Sequence, residues 1–251
     1  MMQFQILGNE LQGELFVFDK DGLLFDSETF WSELAVTRAH NFARLTCNKE
    51  LTFKWLHAMG VEQDLPDGYR VNPLGILAAA STEEEIAVSA GFLVEHLSLA
   101  WAEARDIARN IFESSDQEIN LVRALKPMEG FPDIFKRLRD KQIPYGIATS
   151  DTYERAKASI QQFDEWESVR FTITPKDVSK GKPDREMLDK ISEITNIKTS
   201  EIVMFGDSYL DVAMANAAGA IGIGVTRDLE MKRRMQPFTP WIVESLEQII
   251  F

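Results

Sequence analysis

The chain is poor in the residues that build covalent or zinc-bound frameworks. Cys47 is the single cysteine among 251 residues, so neither an internal disulfide nor a cysteine zinc cluster can form. Basic charge is also in deficit. Lys and Arg number 27 against 40 Asp and Glu, a net charge of -13, which argues against nonspecific nucleic-acid binding. No window holds the roughly 18 apolar residues of a membrane span. The opening MMQFQILGNELQGE has neither a basic n-region nor a long apolar stretch, so a signal peptide is not expected. A soluble, cytoplasmic protein is the expectation. An anionic small substrate stays open, because a bound metal ion reverses the sign of the local field.

What is present is an ordinary globular composition, 45% hydrophobic and 27% charged, enough for a sizeable core. Repeats and low-complexity tracts are missing. The organising stretch is Leu15 to Glu28, LFVFDKDGLLFDSE. Leu15-Phe16-Val17-Phe18 reads as a short buried strand. Asp19 and Asp21 follow it, with Lys20 between them and a break at Gly22. Carboxylates directly after a buried strand are costly unless they stay wet or bind something. A solvated Asp-Gly turn is the plain alternative. A calcium loop fits poorly, because its ligand spacing is absent. Alternation sets Lys20 on the opposite side from Asp19 and Asp21, as a structural or solvent-facing residue.

The texture changes along the chain. Residues 4–18 suggest a hairpin or an added edge strand around Gly8-Asn9. From Ser27 to Leu125 helical periodicity takes over, with Ser27 and Asn48 as N-caps and Ser81-Thr82-Glu83-Glu84 as a capping box. A helix is expected over Leu97–Phe112, and Leu65 to Pro73 is expected to be loop. From Pro127 onward strands and helices alternate. Strands are expected at 144–148, 169–173, 202–205, 220–225 and 241–243. Alternating βα units imply a parallel sheet with helices on both faces. The expected fold is therefore α/β and Rossmann-like, with residues 1–25 and 127–251 as a core domain. Residues 26–126 would form an inserted all-helical domain.

Other strand ends carry polar residues of particular kinds. Ile147-Ala148 leads into Thr149-Ser150-Asp151, and Val203-Met204-Phe205 leads into Gly206-Asp207-Ser208-Tyr209-Leu210-Asp211. A loop further on carries Lys180-Gly181-Lys182-Pro183. In open parallel sheets, ligands sit at the carboxyl ends of the strands. Clustered carboxylates are hard oxygen ligands that suit magnesium. A hydroxyl and a lysine beside them offer donors for phosphoryl oxygens.

These segments together resemble the haloacid dehalogenase-like superfamily of phosphatases, in the subgroup with a helical cap inserted after the first strand. The carrying motifs are Asp19-Lys20-Asp21-Gly22-Leu23-Leu24-Phe25-Asp26-Ser27, then Gly146-Ile147-Ala148-Thr149-Ser150. Lys182-Pro183-Asp184 and Gly206-Asp207-Ser208-Tyr209-Leu210-Asp211 complete the set. They run in order over roughly residues 14–28 and 128–245. Arg185 stands where many relatives carry a second proline. The resemblance implies Asp19 as a nucleophile that forms an aspartyl-phosphate, and Asp21 as acid and then base. It implies Mg2+ held by Asp19, the Asp21 backbone carbonyl and Asp207, with Asp211 a direct ligand or one step removed. Thr149 and Ser150 would bind the phosphoryl oxygens, and Lys182 would neutralise charge on Asp19. Asp211 as a simple N-cap, and Thr149 and Lys182 as ordinary strand-end and loop residues, are the bland readings.

The implied activity is hydrolysis of a small phosphorylated metabolite, a sugar phosphate or phosphoglycolate-like ester. A β-phosphoglucomutase-like phosphomutase and a non-catalytic binding protein are the alternatives. A dehalogenase would lack the second carboxylate of the first motif, and Asp21 is present. The block Ser27–Leu125 would act as a lid, hinged near Phe25–Asp26 and Ala124–Met128. Arg38, Arg44, Arg70 and Arg105 are possible anchors for an acidic substrate, or else solvated helix charges. His40, His57 and His96 read as packing or surface residues. Cys47 reads as inert, and a monomer is expected.

Overall fold

A computed structural model describes residues 2–64, 68–72, 74–163 and 165–251. The chain divides into two compact units, Met1–Asp26 with Pro127–Phe251, and Ser27–Lys126.

The first unit opens with β1 (Met2–Ile6) and β2 (Asn9–Gly13), paired antiparallel with Ile6 opposite Asn9. Leu7 and Gly8 both have positive φ, 50° and 76°, which suits a tight two-residue hairpin loop. The hairpin reading holds. Phe4 seals it onto Phe16, ring centroids 5.4 Å apart, and Gln5 exchanges backbone hydrogen bonds with Ile250 at 2.7 and 3.0 Å. The third strand, β3 (Leu15–Phe18), is buried at every position. Burial on both faces is what a continuous apolar run buys in a parallel sheet.

The second unit holds α1 (Ser27–Thr46), α2 (Lys49–Ala58), β4 (Val61–Asp64), β5 (Gly68–Val71), α3 (Ile76–Ala79), α4 (Thr82–Leu97), α5 (Trp101–Glu118) and α6 (Leu121–Ala124). The Asn48 side chain accepts from the Leu51 amide, and Ser81 and Glu84 form the capping box. Two expectations change. The stretch read as loop contains β5, which pairs antiparallel with β4 just before it, so the block is not wholly helical; residues 65–67 and 73 of that stretch lie outside the described residues. The helix expected over Leu97–Phe112 starts at Trp101 instead. Ser98 takes φ 54° and ends α4 at Leu97, so Trp101 sits exposed while Ala104 and Ala108 are buried. The unit's core centres on Trp55, stacked on Phe42 at 4.5 Å. Truncating such a buried aromatic costs about 3–5 kcal/mol.

The chain re-enters the first unit beside its exit. The Met128 amide donates to Leu24 O at 2.9 Å. Then follow α7 (Asp133–Asp140), β6 (Tyr145–Ala148), α8 (Tyr153–Gln161), β7 (Thr172–Ile173), α9 (Glu186–Thr195), β8 (Ile202–Gly206), α10 (Tyr209–Ala218), β9 (Ile221–Val225), α11 (Leu229–Met235) and β10 (Ile242–Val243). The six-stranded sheet runs β10-β9-β8-β3-β6-β7 and is parallel throughout. Leu15 and Val17 face a cluster with Met187, Leu188 and Met214 from α9 and α10. Phe18 faces Phe135 of α7, 5.1 Å away on the other side. Helices thus cover both faces, as the α/β reading requires. Strands β6 and β7 lie on one side of β3, and β8 to β10 on the other. The end of β3 is therefore the topological switch point, where such sheets bind ligands.

Candidate active site

The site grows from the turn after β3. Leu24 N donates to Lys20 O and Gly22 N to Phe25 O, at 2.9 and 2.8 Å. Gly22 takes φ 84°, and a Cβ there would fall 2.0 Å from Asp207 Oδ2. Only a glycine lets this turn approach the end of β8 so closely. The Asp19 amide donates to Phe205 O at 2.9 Å, locking the two strand ends together.

Four of the expected residues converge here. One oxygen each from Asp19, Asp207 and Asp211 lies within 4.8 Å of the others. Lys182 Nζ sits 2.7 Å from Asp19 Oδ1 and 2.6 Å from Asp211 Oδ1. Its loop is shaped by Glu186, whose carboxylate accepts from the Ser179 and Lys180 amides at 2.7 and 2.9 Å. That helix, α9, starts after Arg185, which pairs with Asp189; the missing second proline leaves Lys182 in place. Asp211 is not the N-cap of α10. Ser208 is, and Asp211 three residues on reaches back to its amide and hydroxyl at 3.1 and 2.6 Å. The cap thereby orients Asp211 toward Lys182.

The electrostatics are unbalanced. Burial raises the Asp19 pKa to about 7, with Lys182 opposing and Asp211 assisting. Burial, then the charges of Asp19 and Asp211, push Asp207 well above the ordinary carboxylate range. Lys182 is raised: burial opposes its charge, but Asp19 and Asp211 outweigh that. One ammonium cannot balance three carboxylates, and an uncompensated buried charge is expensive. Three hard oxygen donors short of positive charge fit a divalent cation of the magnesium type.

Asp21 and Thr149 belong to a neighbouring arrangement. The Asp21 carboxylate is not among the clustered three; it pairs with Lys20. Lys20 is not solvent-facing. Its side chain is 0% exposed, and its Nζ also lies 2.9 Å from Asp151 Oδ2. Alternation turned it to the far side of β3, but in a parallel sheet that side is buried too. Asp151 Oδ1 accepts from Arg155 Nε at 2.5 Å and from the Thr152 amide at 2.7 Å. Burial opposes the Asp151 charge, yet Arg155 and Lys20 hold its pKa down at about 2. For Asp21, burial outweighs Lys20 and raises the pKa. Thr149 is buried at the end of β6, and its Oγ1 accepts the Asp151 amide at 3.1 Å. Ser150 follows, half-buried. Asp151 and Arg155 carry no expected role; an acid four residues before a base at a helix start was the available signal.

The arginine anchors fare differently. Arg38 is fully buried, paired with Glu85 at 2.7 Å and lying over Phe112. It is unavailable to a substrate. Arg44 pairs with Glu118 and Arg105 with Asp106 at the surface, and Arg70 is exposed. The three histidines are exposed on their helices.

A parallel α/β sheet that gathers a cation-competent acidic cluster and a buried lysine at its switch point defines a class of enzyme site. Comparison with known proteins gives that class its family. The model of the haloacid dehalogenase-like hydrolases matches residues 14–219, and the chain belongs to this family. The curated validoxylamine A 7'-phosphate phosphatase of Streptomyces hygroscopicus subsp. limoneus is 26% identical over 99 residues, 39% of this chain and 46% of that protein. The chain thus spans about half the length of that relative. A Clostridium perfringens protein named as a pyrophosphatase, PpaX, is 30% identical over 57% of this chain and 67% of its own. Among solved structures, a haloacid dehalogenase-like hydrolase of Bacteroides fragilis superposes with a TM-score of 0.65 at 17% identity, covering 94% of this chain and 99% of that one. No helix among the described residues is long and apolar enough to cross a membrane.

Proposed function

We propose that the protein is a magnesium-dependent phosphoric monoester hydrolase acting on a small phosphorylated metabolite of the sugar-phosphate or phosphoglycolate type. The observation that carries this reading is Lys182 bridging Asp19 and Asp211 beside Asp207. Asp19, Asp207 and the Asp21 backbone carbonyl would hold the cation, with Asp211 steadied by Ser208. When bound, the cation supplies positive charge that favours the ionised nucleophile and offsets its repulsion from phosphate.

The chain's own residues then divide the work. An Asp19 oxygen attacks phosphorus, and the ester P–O bond breaks as the leaving oxygen takes a proton from Asp21. Water attacks the resulting aspartyl-phosphate, and Asp21 takes the proton back. Lys182 opposes the burial that favours a protonated Asp19. Thr149 accepts from the Asp151 amide, so its own proton is left to donate to a phosphoryl oxygen, with Ser150 beside it. The phosphatase name of the Streptomyces relative supports a phosphate ester of a small metabolite as substrate.

The test is phosphate release from a panel of sugar phosphates, a cyclitol phosphate, phosphoglycolate, inorganic pyrophosphate and p-nitrophenyl phosphate, with Mg2+ and with EDTA. Turnover with Mg2+ is expected, and D19N should lower kcat by at least about 1,000-fold. Release unaffected by D19N would sink the reading, as would no release from any ester. Isomerised hexose phosphate without free phosphate would point to a phosphomutase instead.

A further inference from the structure

Lys20, Asp151 and Arg155 have no part in the chemistry just described, yet they are costly. A fully buried ammonium, carboxylate and guanidinium each lose hydration on folding, and apolar residues of like size would often be no less stable. They form one continuous chain. Arg155, 6% exposed on its side chain, pairs with Asp151 at 0%. Asp151 pairs with Lys20 at 0%, and Lys20 pairs with Asp21, whose side chain alone opens to 12%. The chain's open end is thus the carboxylate at the site. Its hub also grips the other strand end, through the Asp151 amide on Thr149 Oγ1 at 3.1 Å.

The direction of the pull matters. Asp21 is two residues from Asp19, close enough in sequence to compete for the same cation. Lys20 leaves β3 on the opposite side and draws the Asp21 carboxylate with it, and the metal-competent set is Asp19, Asp207 and Asp211. We propose that Lys20, Asp151 and Arg155 are positioning residues that tether the Asp21 carboxyl away from the acidic cluster and aim the Thr149 hydroxyl. This rests on the phosphatase reading above. An acid–base group must reach the leaving oxygen and must not be consumed as a metal ligand, and a tether from behind meets both needs.

Lys20→Met removes the tether and leaves Asp151 paired with Arg155. The probes are phenyl phosphate and p-nitrophenyl phosphate with Mg2+, aryl esters that differ by one para-nitro group and of which only the first depends strongly on protonation of its leaving group. K20M should lose at least about tenfold more kcat/KM on phenyl phosphate than on p-nitrophenyl phosphate, a fraction of what acid–base catalysis supplies. K20R should recover part of that difference. Asp151→Asn, which frees the far end of the same tether, should show the same selective loss and serves if K20M does not fold. A crystal structure of the variant with Mg2+ should show the Asp21 carboxylate turned toward Asp19 and Asp207. Equal losses on both esters, or an unmoved Asp21, would overturn the proposal while leaving the phosphatase reading intact. If the wild type hydrolyses neither these esters nor any of the panel, the phosphatase reading itself has failed and the tether falls with it.

Discussion

Two ionic clusters stand side by side at the carboxyl edge of one sheet, and their charge counts differ. Around Lys20 the balance is even: Lys20 and Arg155 face Asp21 and Asp151. Around Lys182 it is not: one ammonium faces Asp19 and Asp211, with Asp207 beside them. The even cluster lets Asp151 stay ionised down to a pKa of about 2. In the uneven one burial, against Lys182 and with Asp211 assisting, pushes Asp19 up to about 7. A balanced buried network can be finished by folding alone. A cluster short of positive charge is finished only by a ligand, and that shortage marks the chemical centre.

The sharpest way to break this comparison is to remove the single cation of the uneven cluster. Lys182→Met leaves buried carboxylates without their counter-charge. Losing one partner of a buried pair costs about 3–5 kcal/mol, and losing a charge-stabilising donor costs about 100- to 1,000-fold in kcat. Thermal melting in EDTA and turnover with Mg2+ should both fall. Since added Mg2+ supplies the missing charge, it should recover more melting temperature in K182M than in the wild type. A variant that melts like the wild type without metal would show that Lys182 does not carry the balance.

A smaller change tests geometry without altering charge. At Gly22 a Cβ would meet Asp207 Oδ2 at 2.0 Å and Asp207 Cγ at 2.4 Å, and φ is 84°. Gly22→Ala must therefore push Asp207 aside. Disturbing the support of a metal ligand typically weakens affinity about 10- to 100-fold, and a drop of that order is expected in Mg2+ titrations by calorimetry. Gly91→Ala is the control, because a Cβ there meets nothing within 4 Å. Equal Mg2+ affinity in wild type and G22A would remove Asp207 from the cation site.

Much of the uneven cluster was legible in the sequence, and little of the even one. Asp19, Lys182, Asp207 and Asp211 each follow a strand or strand-end loop, and parallel strands bring their ends to one edge whatever their exact boundaries. Small errors of register therefore did no harm: the strand expected over 169–173 is only Thr172–Ile173, yet the site is unaffected. Of the two readings of Lys20, structural or solvent-facing, burial decides for the structural one, as a parallel sheet covered on both faces implies. Asp151 and Arg155 form an ordinary helix pair until Lys20 is known to be buried above them. The pairing of β4 with β5 was missed because Pro and Gly mark turns but do not reveal whether the flanking residues pair. Helix ends that depend on a single left-handed residue, such as Ser98, carry no sequence signature when that residue is not glycine.

The mildest test is pH, which reads both clusters in one experiment. Asp19, Asp207 and Asp21 have folded pKa values above the ordinary 3.8 of a free carboxyl, about 7 for Asp19. The metal-free folded protein then holds protons that the unfolded chain has released, so its stability falls as pH rises from about 4 through 7. Asp151 has the opposite sign. Its folded pKa of about 2 lies below 3.8, so its contribution is present above pH 4 and disappears as pH falls through about 2. In EDTA the melting temperature should therefore climb on acidification from pH 8 to pH 5 and collapse only in stronger acid. Saturating Mg2+ should flatten or invert the climb, because a cation binds the ionised carboxylates and its affinity rises with pH. D19N should shrink the climb, and D151N should weaken the collapse below pH 4 while leaving the climb in place. A metal-free protein that grows more stable from pH 5 to pH 8 would mean that Asp19 and Asp207 already have their counter-charge from the chain, and the contrast between the two clusters would be gone.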